Sequence, residues 1–371
     1  MRKLIVFSLP LLLTNAAAGV FSFYDPLKQQ EGNGLSAGIQ AFVADDPVSL
    51  SDLLDNWHGE FHPEDGTNLA IDDVRTDIGA TYGEFGYLGY TYRHQSFTAA
   101  NRDTVLLIWQ QLNDTGFIPG KRYDLDISID GFEADGILYS NAFDIIDSDN
   151  KHLKIGLGFE LLRGRNMQHG YLQGYATANS SKDYDFSAVS DYYYTENYLY
   201  NLDVEKADGF GYSTHISMEY DIEDISLRLL ANDIFGRIRW KRLPYSYVNI
   251  NSSNKSYDEN GFVVYNPTVS GVEKYLDHTQ KLYAKWRAEA SYGQGETIYT
   301  AGTDFVKERW FPYITASNRF TNDFAAALGY DFRFSTLGVD VAWRELRISL
   351  KSDSIKDPSS IGVSISYRML F

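Results

Sequence analysis

A two-residue rhythm restricts this chain more than any other feature. Successive side chains of a β-strand point to opposite faces, so strict alternation of apolar and polar residues marks a strand with two unlike sides. Phe210, Tyr212, Thr214, Ile216, Met218, Tyr220 and Ile222 share one face, against Gly211, Ser213, His215, Ser217, Glu219 and Asp221 on the other. Phe324, Ala326, Leu328, Tyr330, Phe332 and Phe334 alternate with Ala325, Ala327, Gly329, Asp331 and Arg333. Leu153, Ile155, Leu157, Phe159 and Leu161 alternate with Lys154, Gly156, Gly158 and Glu160. The same rhythm sets Trp286, Ala288, Ala290 and Tyr292 against Lys285, Arg287, Glu289 and Ser291, and Tyr123, Leu125, Ile127 and Ile129 against Asp124, Asp126 and Ser128. Turn-forming residues separate the blocks, among them Glu223-Asp224, Gly293-Gln294-Gly295 and Thr321-Asn322-Asp323. Such short breaks predict antiparallel hairpins.

One strand changes phase. Val339, Val341 and Trp343 lie on one parity, and Leu346, Ile348 and Leu350 continue on the other. A bulge near Arg344-Glu345 would restore one face, or the strand ends there. Acidic residues 45–70 read as loop with a short helix over 50–57. Residues 101–115, with Asn101 or Asp103 as cap, predict another short helix. Residues 180–208 and 249–260, rich in Tyr, Asn, Ser and Asp, read as exposed loops. No internal repeat or linker divides the remainder.

Composition narrows the classes. Mean hydropathy is −0.32, and past the first residues no apolar run approaches the roughly 20 residues a membrane helix needs. An aromatic share of 15% with only 9 Pro argues against disorder. A net charge of −17 argues against a nucleic-acid partner. Residues 1–18 have the layout of a secretory signal peptide. Arg2 and Lys3 precede a short apolar stretch, and Ala16-Ala17-Ala18 offers a cleavage site before Gly19. The chain has no Cys, so it carries no lipidated cysteine and faces no disulfide hazard in an oxidising compartment.

Alternation alone fits a secreted sandwich, whose apolar faces meet in a core, or a membrane barrel, whose apolar faces meet lipid. Three features favour the barrel. The polar faces mix charged residues with Gly and Ser, as a wet or packed lumen requires. Aromatic residues recur near the ends of the apolar stripes, as interfacial girdles do. The C-terminal stretch alternates without a break: Ile361, Val363, Ile365, Tyr367, Met369 and Phe371 against Gly362, Ser364, Ser366, Arg368 and Leu370.

That last stretch resembles the C-terminal signal of Gram-negative outer-membrane β-barrel proteins, the porin-like class. Ile365, Tyr367, Met369 and the terminal Phe371 match the part read by the barrel-insertion machinery. The resemblance implies an all-β, closed antiparallel transmembrane barrel in the cell outer membrane, in contact with lipid and lipopolysaccharide. Closure is required because an unpaired sheet edge in hydrocarbon costs several kcal/mol per orphan group. The expected organisation is a signal peptide over 1–18, an N-terminal segment over 19–33 that is periplasmic or a plug, and a barrel over 34–371. About 14 strands fit the length, with roughly 12 to 18 admissible.

No constellation points to an enzyme. His58 and His62 have helical spacing, but Gly59 and Pro63 break the segment, so a solvated loop pair is the expectation. Ser213 and His215 beside Glu219 invite a hydrolase reading that no motif supports. Asp72 and Asp73 are adjacent and so face opposite sides of a strand. No metal site and no cofactor are expected. The charged faces carry the functional lead. Asp124, Asp126, Asp130, Glu219, Asp221, Arg237, Arg239, Lys241, Lys285, Arg287 and Arg333 are the candidates to line a lumen. Ladders of fixed charge select permeants, or pair to brace a plugged barrel. The expected function is therefore a channel or transport pore for passive passage of small solutes. The alternative is a barrel for specific export or uptake of a polysaccharide or hydrophobic compound; an outer-membrane hydrolase and a soluble secreted β-protein rank lower.

Overall fold

The computed structural model describes residues 18–29, 32–148, 150–196, 204–252, 255–257, 263–265 and 269–371. Of the expected signal peptide over 1–18, residues 1–17 lie outside them. The strands in chain order are β1 (Gly34–Asp45), β2 (Thr67–Thr81), β3 (Tyr87–Asn101), β4 (Arg122–Ser148), β5 (Lys151–Ala178) and β6 (Tyr184–Tyr194). There follow β7 (Asp208–Ile222), β8 (Ile225–Asn232), β9 (Arg237–Asn251), the short β10 (Lys255–Tyr257) and β11 (Val263–Tyr265), and β12 (Val269–Lys281). The last are β13 (Lys285–Gln294), β14 (Thr297–Val306), β15 (Arg309–Arg319), β16 (Phe324–Asp331), β17 (Leu337–Trp343), β18 (Leu346–Ser352) and β19 (Ser360–Leu370).

The sheet closes on itself. β1 pairs antiparallel with β2 on one edge and with β19 on the other, from Gly34 opposite Leu370 to Ala44 opposite Ser360. Among the described residues the closed sheet has 17 strands, beside a separate two-stranded ribbon of β10 and β11. That is more than the roughly 14 that fit the length best and lies within the roughly 12 to 18 admitted, because the wall has two tiers. Near the C-terminal end the ring runs β1 to β5, then β7, β8 and β13 to β19, which is fourteen strands. Farther along, the long β4 and β5 rise past that ring, and β6, β9 and β12 pair beside them as an upper tier.

The two ends differ. At the end holding Gly34 and Leu370, hairpin connections are two to five residues long, from 223–224 to 82–86. The longer connections lie at the other end. There α1 (Leu50–Leu54) is capped by Ser49, and α2 (Arg102–Asn113) by Asn101, whose side chain accepts from Thr104 N. The first helix is shorter than expected because Asn56 and Trp57 take positive φ, which ends helical geometry. The phase change between β17 and β18 is a hairpin, not a bulge. Trp343 pairs with Leu346, and Arg344 turns the chain with φ 54°.

Apolar residues lead outward along the ring. Leu328, Ile314, Val341, Ile348, Leu157 and Ile137 are all solvent-exposed around the barrel exterior. An apolar belt of this kind is stable only against hydrocarbon. An Arg there has no partner and must be dragged from water. Leu328→Arg, at the middle of β16, is expected to lower folding stability by about 2–4 kcal/mol in lipid. The test is the denaturant midpoint of the refolded barrel, with Asn322→Arg, in the exposed turn before β16, as comparison.

The inward faces pack tightly. One interior cluster joins Trp240 and Ile238 of β9 to Phe132, Ala134, Leu162, Met167 and Leu282. Gly164 and Gly209 make room for it: a Cβ would stand 2.5 and 2.7 Å from atoms of the Trp240 ring. The indole Nε1 donates to Gln280 Oε1 at 3.2 Å, so its polar edge is satisfied.

Candidate functional site

Residues 18–29 thread the interior. Up to Asp25 the segment has no neighbouring strand, so its backbone groups bond to side chains of the wall to stay paired, and Pro26–Gln29 then form a single 3₁₀ turn. Val20 N and Phe21 N donate to Asp304 Oδ2 at 3.1 and 3.2 Å. Tyr24 N donates to Asn232 Oδ1 at 2.8 Å, and Asn232 Nδ2 donates back to Tyr24 O at 2.9 Å. Lys285 Nζ reaches Ser22 O at 2.7 Å, and Arg287 Nη2 reaches Phe21 O at 3.2 Å. Lys351 donates to Gly19 O, and Ser22 to Asp73. Arg368 Nη1 donates to Lys28 O at 2.9 Å.

The side chains of this segment are mostly apolar. Val20, Phe21 and Phe23 join Phe42, Leu69, Ile71, Phe97, Leu230, Val306, Phe311 and Phe334 in one buried cluster inside the barrel. Phe21 meets Phe311 edge-on at 5.0 Å between ring centroids. The Arg287 guanidinium lies 4.4 Å from the centre of the Phe23 ring.

Around this cluster runs an ion lattice. Glu160 is fully buried and meets Arg75, Arg93 at 2.8 Å and His215 Nε2 at 3.2 Å. Arg93 also pairs with Asp233 at 2.6 Å, and Ser213 Oγ donates to the same carboxylate at 2.6 Å. Arg75 holds Asp77 at 2.7 Å, Lys285 holds Asp73 at 3.0 Å, and Arg287 holds Asp304 at 2.6 Å. Buried charges survive when each has such partners. Ser213 and His215 thus turn to different carboxylates and do not form a nucleophile–base pair.

The sequence-derived candidates are placed in different surroundings. Lys285 and Arg287 are buried in the interior and touch the threaded segment. Glu219 and Asp221 share the parity of Ser213, and Glu219 lies 3.8 Å from Arg228. Asp130 faces inward opposite Phe97, bonded to Lys307 at 2.7 Å and near His169. Asp124 and Asp126 lie on that same parity but are exposed in the upper tier. Arg237, Arg239 and Lys241 are exposed, with Ile238 and Trp240 buried between them. This reverses the expected orientation. In a packed interior the apolar side of β9 fills space, and its cations turn outward, where Arg239 meets Asp277. Arg333 belongs to the connection after β16 and pairs with Asp46. Burial pushes the Asp46 carboxyl up, and Arg333 pulls it part of the way back.

Glu160, Asp304, Arg75, Arg93 and Asp73 were not among the lumen candidates read from the sequence. Glu160 stands alone between Phe159 and Leu161, and Asp73, Arg75 and Asp77 alternate along one face of β2; those patterns are the signal that could have found these residues, whereas Arg93 beside His94 and Asp304 after Thr303 carry none. His58 and His62 lie in the exposed 55–66 loop, and His62 pairs with Glu60 at 3.1 Å.

A closed sheet with an apolar exterior and an ionic interior is what hydrocarbon requires of a spanning sheet. The chain has the outer-membrane β-barrel fold. No protein-family model matches it, and no curated protein does. The Pseudomonas putida toluene transporter TodX is a similar solved structure, at 10% identity over 96% of this chain and 97% of that one, TM-score 0.43. The Ralstonia pickettii toluene transporter TbuX is similar over the whole of both chains, at 9% identity and TM-score 0.33. A mutant of the TodX monoaromatic hydrocarbon channel aligns at 10% identity over 96% of this chain and 98% of that one, TM-score 0.47.

Proposed function

We propose that this protein is an outer-membrane channel for small, mainly apolar solutes, closed at rest by residues 19–29. The apolar cluster inside the lumen carries this reading. A pore for ions gains nothing from phenyl rings on its inner wall, whereas an apolar solute is desolvated there at about 25 cal/mol per Å² of surface removed from water. Phe21 and Phe23 of the segment occupy the same cluster, so the segment stands where such a solute would travel.

The short hairpins at the Gly34 end support placing that end in the periplasm and the longer loops outside the cell. No step of bond chemistry is needed. The field of the ion lattice holds the segment, and solute passage follows the concentration gradient.

The test is uptake of radiolabelled naphthalene by Gram-negative cells that express the chain, against cells with empty vector. Initial uptake is expected to rise several-fold. Equal rates, with the folded barrel present in the outer membrane, would sink the proposal.

A further inference from the structure

Below the threaded segment, at the short-hairpin end, the lumen holds a cavity of about 690 Å³. Small inward side chains create it: Ser36 and Gly38 of β1, Ser349 of β18, and Ser364 and Ser366 of β19. Phe23 and Tyr24 of the segment belong to its lining. The volume lies in the range that holds a small ligand, roughly 300–1,000 Å³.

One group in this cavity is unexplained by the lattice above it. Asp340 of β17 lines the cavity and is 1% exposed, yet neither of its carboxylate oxygens has a hydrogen-bond partner among the described residues. Its cross-strand neighbours are Ala327 and Ser349. Lys28 and Arg347 line the same cavity and act on Asp340 through their charge, without a hydrogen bond to it. A buried carboxyl group with no hydrogen-bond donor gives up part of its hydration, so a donor arriving in the cavity recovers that loss. The cavity has five basic and five acidic side chains in its lining, so it offers no net charge to favour an ion.

We infer that this cavity is a subsite for the hydroxyl group of the solute, with Asp340 as the acceptor. The inference rests on the channel reading and adds to it a preference, among its apolar solutes, for those that carry a hydroxyl, such as phenols and alicyclic alcohols. The apolar body lies against Phe23 and Tyr24, and the O–H donates to Asp340. A hydrocarbon lacks the donor, and a carboxylate would meet a like charge.

The test compares 1-naphthol with naphthalene in cells expressing the chain or its Asp340→Asn variant, with heat-modifiable migration confirming the folded barrel. Loss of the charged acceptor is expected to slow 1-naphthol uptake about fivefold or more and leave naphthalene unchanged. A second measurement needs no variant. Excess cyclohexanol is expected to inhibit 1-naphthol uptake by the unaltered chain, and methylcyclohexane to leave it unchanged. Equal slowing of both naphthalene compounds by Asp340→Asn, no effect of the substitution, or equal inhibition by both alicyclic compounds overturns the subsite. Those results leave the channel reading standing, whereas failure of wild-type cells to exceed vector controls for either compound removes the channel reading itself.

Discussion

A chain lacking residues 19–29 is expected to conduct in planar bilayers at least about tenfold more than the full-length protein, because removal exposes a lumen lined by fixed charge. The segment supplies both the rings and the backbone that fill the middle of the barrel. Without it, Asp304 loses two backbone donors, and Lys285, Arg287 and Lys351 lose their carbonyl partners. The wall itself keeps its pairing: Lys285 retains Asp73 and Arg287 retains Asp304. The barrel should therefore remain folded while its passage widens. Asp304→Ala offers a graded version, removing the acceptor of Val20 N and Phe21 N together with the counterion of Arg287. Its conductance should fall between the two. Conductance of the shortened chain equal to that of the parent would mean the segment does not close the lumen.

The largest single loss of stability is expected at Glu160. Glu160→Ala leaves Arg75, Arg93 and His215 facing a space with no carboxylate, at a depth where water cannot replace it. Removing one partner from a buried ion cluster costs about 3–5 kcal/mol, because the stranded charge stays desolvated. Arg75 still holds Asp77 and Arg93 still holds Asp233, which keeps the loss from rising further. Glu160→Gln preserves shape and one acceptor oxygen and should lose less. Urea midpoints of the barrel refolded in lipid, followed by the shift between folded and heated migration, check the order. An Ala variant as stable as the parent would show that the lattice contributes nothing net.

Much of the fold was legible from period alone. The blocks at 153–161, 210–222, 284–292 and 324–334 all lie within strands or overlap them closely. The ending at 361–371 forms the strand that closes on β1, and the helix expected over 101–115 appears as α2. Local alternation could not show which face is inward. That depends on what fills the interior, and at β9 the filling is Trp240, so three cations expected inside stand outside. Nor could it show the partners of Glu160 or Asp304, because these come together from strands far apart in the chain. Arg75, Arg93, Glu160 and Asp233 meet only after β2, β3 and β5 have taken their register beside the turn that follows β8. The phase change at Arg344 illustrates the same limit. A bulge and a tight hairpin leave the same parity shift, and only the cross-strand pairing of Trp343 with Leu346 decides.

The way the threaded segment is held also orders the folding of the chain. Its bonds go to Asp73 on β2, Asn232 on β8, Lys285 on β13, Asp304 on β14, Lys351 on β18 and Arg368 on β19. No local piece of the chain contains that set. Although it precedes every wall strand in the chain, the segment can therefore dock only after those strands have paired and the ring is complete. Contacts of such long sequence separation form late, since the entropy of closing the intervening loops must be met first. Until that moment the N-terminal segment must stay unattached, and its docking becomes a report that every wall strand has reached its place.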